Sequence, residues 1–187
     1  MCGKKSIYYD PVSNMVIPLT FGNGTYSFRL YENTTGNSYK LIASRSRSIH
    51  MKDVNAYKLN ANYFVNFDEA SSFFQIAKKL RDWTAIKNYI SNNFRYDYIK
   101  ALTAPKSKNL VPPDLEKVFS EKSGICDGLA ALTVAFARIC GISATLVMGK
   151  ADRNAHAWVK VGDELFDPTY AIQRRRTKIK YVEEREY

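Results

Sequence analysis

The chain is poor in the residues that staple small proteins or carry them across membranes. Its 187 residues hold three cysteines, Cys2, Cys126 and Cys140. An odd number at such wide spacing excludes a disulfide framework and a Cys-x-x-Cys metal knuckle. No apolar run approaches the roughly 20 residues needed to cross a bilayer. The amino end lacks the basic stretch, apolar core and small-residue cleavage site of a signal peptide. Acidic side chains are outnumbered, 18 Asp+Glu against 28 Lys+Arg, for a formal charge of +10. The excess is spread, +6 over residues 1–93 and +4 over 94–187. It favours anionic surfaces such as cell wall, nucleic acid or acidic protein without choosing among them.

What is present is the material of a core. Hydrophobic residues make up 45%, with 13 Tyr and 10 Phe, which excludes disorder as the dominant state. The length fits one domain, or one domain with a small appendage. Such a chain buries roughly 70% of its unfolded surface without metal or disulfide support.

The first third reads as strands. In Thr25–Glu32, Tyr26, Phe28 and Leu30 alternate with Ser27, Arg29 and Tyr31, a period of two. Asn33–Asn37 supplies turn chemistry and Ser38–Ser44 the return strand. Met15–Phe21 is a further strand candidate, interrupted by Pro18 and so suited to an edge. Residues 6–66 are therefore expected to form a small antiparallel sheet. Helical spacing takes over in Asp68–Leu80 and Asp82–Phe94, the second capped by Asp82. Residues 100–123, broken by Pro105, Pro112 and Pro113, read as a long surface loop with one helical turn near Leu115–Phe119. Residues 126–139 form an amphipathic helix ended by Gly141. Strands at Ala144–Met148, Ala155–Val161 and Glu164–Phe166 follow, then a polar tail from Gln173 expected to fray. The expected divisions are a β-rich extension (1–66), a core (67–172) and a basic and acidic tail (173–187).

Three residues stand out as chemistry. Cys126 opens the amphipathic helix between Gly124 and Gly128. Unpaired N–H groups there stabilise a thiolate, and the same donors suit an oxyanion. A free cysteine is ordinarily a small core hydrophobe, and Cys140, on the apolar stripe, fits that description. With only two histidines in the chain, the search for a base is short. His50 lies in a polar strand edge. His156 opens Ala155–Val161, and Gly162-Asp163 is a two-residue turn signal. With that turn Val161 pairs with Glu164, so Asp167 falls opposite Trp158 and diagonal to His156, within side-chain reach. A one-residue slip would put the two on opposite faces. Cys126 on that face completes a nucleophile, a base and an orienting carboxylate.

Gly124-Ile-Cys126-Asp-Gly-Leu-Ala-Ala-Leu132, Arg138-Ile-Cys-Gly-Ile-Ser-Ala144, His156-Ala-Trp158 and Asp167-Pro-Thr-Tyr170 resemble, in order and spacing, the core of the transglutaminase-like superfamily, over about residues 82–170. Arg95-Tyr-Asp-Tyr98 also resembles the segment preceding that family's loop. The resemblance implies an α+β, papain-like transglutaminase-core fold, here with an amino-terminal antiparallel β extension. It implies Cys126 as nucleophile, His156 as general base and acid, and Asp167 as orienting group. The implied reaction is acyl transfer from peptide or protein amides through a thioester, with no cofactor and no metal. The absence of an obvious second substrate domain favours hydrolysis over cross-linking. Tyr96, Tyr98, Trp158 and Asp127 are candidate oxyanion or substrate contacts. Each also has a plainer reading, packing for the aromatics and a helix-dipole role for Asp127.

The other class of function is a catalytically inactive domain of this fold that binds cell wall or protein through its charge. Nucleic acid is disfavoured, because the five cations of Gln173–Lys180 give way to Glu183, Glu184 and Glu186 and no aromatic–basic alternation accompanies them. For location, unpaired cysteines without an export signal indicate a reducing compartment. Met1-Cys2-Gly3-Lys4-Lys5 reads equally as the start of an exported, lipid-anchored form. Oligomeric state has no sequence signal.

Overall fold

A computed structural model describes residues 16–17, 23–50, 52, 56–103, 111–175 and 178–187. Cys2, Pro105, Lys106, Lys108 and most of the Met15–Phe21 strand candidate lie outside them. The chain divides into two units, Leu19–Ala56 and a larger one that includes Tyr57–Tyr187.

The smaller unit is an antiparallel hairpin of β1 (Gly24–Thr35) and β2 (Ser38–Ile49). The alternation in the sequence sets its faces. Tyr26 and Phe28 stack at 6.3 Å opposite Arg47 and Arg45, while Thr25–Ser48 and Ser27–Ser46 hydroxyl pairs line the other side. Gly36, at φ +55°, takes the left-handed turn position that favours glycine. Among the described residues, the sheet expected over 6–66 is a two-stranded hairpin.

The larger unit begins earlier than expected. Asn62 Oδ1 accepts from the N–H groups of Phe64 and Val65, and Tyr63, Phe64 and Val65 are buried in the core. The elements that follow are α1 (Phe74–Leu80), α2 (Trp83–Asn93), β3 (Arg95–Tyr96), α3 (Tyr98–Thr103) and α4 (Leu115–Glu121). Then come β4 (Ser123–Gly124), α5 (Cys126–Ile139), β5 (Thr145–Ala151), β6 (Asn154–Val161), β7 (Glu164–Phe166), α6 (Pro168–Ile172) and β8 (Tyr181–Glu186). Asp82 caps α2 by accepting from the Ala85 N–H at 2.8 Å, as its place in the sequence predicts. The first helix starts six residues late, because Asp68 and Ser71 bond to each other and to nearby N–H groups in a turn of their own. The stretch 100–123 is more helical than expected. Asp97 and Asp114 cap α3 and α4, and Leu115, Val118 and Phe119 of α4 are buried.

Buried helix α5 is the axis of the core, with every residue from Gly128 to Arg138 out of solvent. Its apolar surface packs on the sheet and on α1, α2, α4 and α6. The sheet has four antiparallel strands in the order β7-β6-β5-β8. Arg138, near the carboxyl end of α5, donates to the carbonyls of Asn60, Ala144 and Tyr187. The buried guanidinium thereby ties three distant segments together.

The expected tail is corrected here. Residues 181–186 form an edge strand on β5, and Tyr187 is fully buried against Phe64, ring centroids 4.3 Å apart. Its charges are those of an edge strand: Glu183 and Glu186 bind Lys160, and Glu184 binds Lys150. The architecture is α+β, as expected. No helix among the described residues is long and apolar enough to cross a membrane.

Candidate active site

Cys126 is the first residue of α5, and the chain before it is held by the parallel pairing of β3 with β4. Ile125 occupies the N-cap in extended conformation with no side-chain cap bond. The glycines on either side have a packing reason. A Cβ on Gly128 would stand 2.9 Å from Val118 Cγ2, and one on Gly124 3.3 Å from Val118 Cγ1. Small residues here let α4 seat against the mouth of α5, which fixes where the half-buried sulfur emerges.

The β6–β7 hairpin delivers the imidazole and the carboxylate. Its register is the expected one, Val161 opposite Glu164 and Val159 opposite Phe166. Glu164 anchors the hairpin to α2 by accepting from Lys87 Nζ at 2.6 Å and from Trp83 Nε1 at 3.0 Å. At the end of β7, Asp167 Oδ2 lies 2.7 Å from His156 Nε2. Both side chains are more than nine-tenths buried. Asp167 also caps α6, its Oδ1 accepting from the Tyr170 N–H at 3.1 Å, while Pro168 suits the first helical position. Cys126 is close enough to the imidazole to act on its protonation.

The electrostatics follow from this packing. Burial pulls the His156 pKa down, but hydrogen bonds to Asp167 and Cys126, together with their charges, outweigh it and bring the imidazole to about 9. The ring is therefore held as a cation at neutral pH. Tyr96 lies near enough to Cys126 and Asp127 to feel both. Burial first, and then those charges, raise its phenol above the usual range, leaving a neutral donor. Burial also raises the Asp127 carboxyl, against the opposing effects of the Gly128 N–H and Lys100. An open groove of about 390 Å³ is lined by Arg95, Tyr96, Asp97, Tyr98, Ile99 and Ser123.

The structure brings Cys126, His156, Asp167, Tyr96 and Asp127 into one neighbourhood. Tyr98 packs edge-on against Tyr96 at 5.0 Å and is 59% exposed at the groove. Trp158 departs from the expected substrate contact, because it is fully buried. Its ring lies between His156 and Tyr181, at 6.4 and 4.9 Å. It therefore packs behind the imidazole and offers no surface to a substrate. Sequence reasoning missed Tyr181, whose hydroxyl donates to Asp167 Oδ2 at 2.9 Å, and Tyr170, whose ring lies 5.1 Å from that of His156. Tyr181 carried no signal, because it sits in a segment read as a frayed tail.

Residues 74–168 match the model of the transglutaminase-like superfamily. No curated protein matches the sequence. Among solved structures, the chain is similar to a candidate cysteine protease from Cytophaga hutchinsonii, at 19% identity and a TM-score of 0.50. That alignment covers 70% of this chain and 45% of the other, so the chain spans less than half its length. It is also similar to the periplasmic domain of TgpA from Pseudomonas aeruginosa, at 19% identity and a TM-score of 0.46, over 64% of this chain and 50% of that one. With the family's model matched across half its length, the chain belongs to the transglutaminase-like superfamily.

Proposed function

We propose that this protein is a thiol-dependent acyl-transfer enzyme acting on peptide or protein amides, with water as the acyl acceptor. The observation that carries the reading is the 2.7 Å contact between His156 Nε2 and Asp167 Oδ2, beside a cysteine at a helix mouth. In this reading Asp167 fixes the imidazole and His156 holds the proton of a thiolate–imidazolium pair. The Cys126 sulfur attacks the amide carbonyl, forming the C–S bond and a tetrahedral oxyanion. First-turn N–H groups of α5, with the Tyr96 hydroxyl, are the donors we assign to that oxyanion. His156 gives its proton to the leaving nitrogen as the C–N bond breaks, and an amine departs. The neutral imidazole then takes a proton from water, whose oxygen attacks the thioester. Collapse releases the carboxylic acid and restores the pair.

Alkylation with iodoacetamide at neutral pH tests the reading, followed peptide by peptide in a mass spectrometer. Cys126 is expected to react at least ten-fold faster than Cys140, whose thiol burial pushes up and whose sulfur bonds the Ala77 carbonyl. Equal rates would favour the inactive binding module. A peptide amide turned over by the protein but not by Cys126→Ala would extend the result to catalysis. Product mass with a primary amine present separates water from amine as acceptor.

A further inference from the structure

Tyr181 is placed with more care than an edge-strand aromatic requires. Its backbone pairs with Ala151. The preceding residue is locked reciprocally to the β5–β6 turn, Lys180 N–H to Asp152 Oδ1 at 3.0 Å and Asp152 N–H to the Lys180 carbonyl at 2.8 Å. Close approach of β8 depends on Gly149, where a Cβ would lie 2.1 Å from the Val182 carbonyl oxygen and 3.0 Å from Trp158 Cη2. The strand register also shifts there, between Met148 and Gly149. Packing against Trp158 needs only a ring. The hydroxyl reaches past it to the carboxylate oxygen that His156 uses.

We propose that Tyr181 is a positioning residue for the reaction, setting the plane and compensating the charge of the Asp167 carboxylate so that this carboxylate in turn orients His156. The inference rests on the thiol-enzyme reading above. Asp167 Oδ1 is held by the Tyr170 N–H and Oδ2 by the Tyr181 hydroxyl. The carboxylate plane is therefore fixed by two groups other than the imidazole, and His156 meets an acceptor that is already aligned. Three donors on one buried carboxylate offset its desolvation. Burial and the Asp167 charge hold the Tyr181 phenol far above its usual range, so it remains a neutral donor. Among the described residues, the titratable and charged groups facing this cluster are Cys126 from α5, Tyr170 from α6, Arg175 over the Tyr170 ring, and Asp152 from the β5–β6 turn.

The test uses the full chain and two readouts, NMR titration of the His156 ring and iodoacetamide labelling of Cys126 relative to Cys140. His50 is the only other histidine, so the ring signals are easily assigned. Tyr181→Phe keeps the ring and removes the donor. Val182→Ala trims a half-exposed neighbour in β8 and leaves the Tyr181 hydroxyl in place. With less compensation on Asp167, the His156 midpoint is expected to rise in Tyr181→Phe above that of the unmodified chain. The Cys126 to Cys140 labelling ratio should fall about ten-fold, because an imidazolium on an unfixed carboxylate is less often aligned with the sulfur, the lower end of the usual cost of losing an outer-shell partner. Val182→Ala should leave both unchanged. Superimposable titrations for Tyr181→Phe and the unmodified chain overturn the proposal while leaving the thiol-enzyme reading intact. So does an equal shift in Val182→Ala, which would reduce Tyr181 to strand docking. If Cys126 in the unmodified chain reacts no faster than Cys140, the underlying reading fails and the proposal with it.

Discussion

Strands β7 and β8 are the two edges of one sheet, and each delivers a group to the same carboxylate site by a different route. β7 is joined to β6 by a two-residue turn, so the position of Asp167 relative to His156 follows from counting residues outward on both sides of Gly162-Asp163. β8 is joined to its partner β5 by no local turn at all. Tyr181 meets Ala151 from thirty residues further along the chain, and its hydroxyl finds Asp167 from the opposite edge. Local turn chemistry is written in neighbouring residues. Non-local pairing is written in complementarity between segments, such as the space left by Gly149, which no single window reveals.

The comparison breaks most visibly at the near edge. Asp167→Ala should lower the rate of amide turnover by roughly 10³–10⁴-fold, the scale for loss of an orienting carboxylate. Comparable loss from Tyr181→Phe would mean that the two edges contribute equally.

A pH effect sharpens the comparison next. The folded His156 has its pKa raised from 6.5 to about 9. Its contribution to stability is fully present below pH 6.5 and is lost as pH rises through about 9, amounting to up to about 3 kcal/mol. Urea unfolding of the unmodified chain and of His156→Gln should therefore differ most near pH 6 and converge by pH 10. A gap independent of pH would contradict the cationic imidazole.

At the far edge, Gly149→Ala forces Val182 away and should destabilise the fold by about 1–3 kcal/mol, the usual cost of overpacking. Amide exchange should quicken in 181–186 before it does in β6 or β7. The smallest effect is expected from Glu164→Ala, which frees the β6–β7 hairpin from Lys87 and Trp83 on a partly exposed face. The unfolding free energy from denaturant titration should move by less than about 1 kcal/mol.

How much was legible in the sequence tracks the same distinction. The hairpin of β1 and β2, the Asp82 cap, the length of α5 and the β6–β7 register all rest on contacts within a dozen residues or on a period, and all appear where the sequence puts them. The juxtaposition of His156 and Asp167 belongs to that group. The late start of α1 was hidden because Asp68 and Ser71 suit both a helix start and a competing turn. Helix α3 gave no signal and α4 read as a single turn, since each amphipathic pattern spans barely two turns. Trp158 looked available to substrate because alternation places it beside His156, while its burial is imposed by Tyr181 from outside the hairpin.

The buried Arg138 has a consequence for how the molecule is made. Two of its acceptors, the carbonyls of Asn60 and Ala144, leave the ribosome early, whereas the third belongs to Tyr187, translated 49 residues after the arginine itself. A nascent chain that closed around the guanidinium beforehand would leave the bond from Arg138 to Tyr187 unmade. Full seating of α5 therefore waits on β8, the strand that also carries the Tyr181 hydroxyl to Asp167.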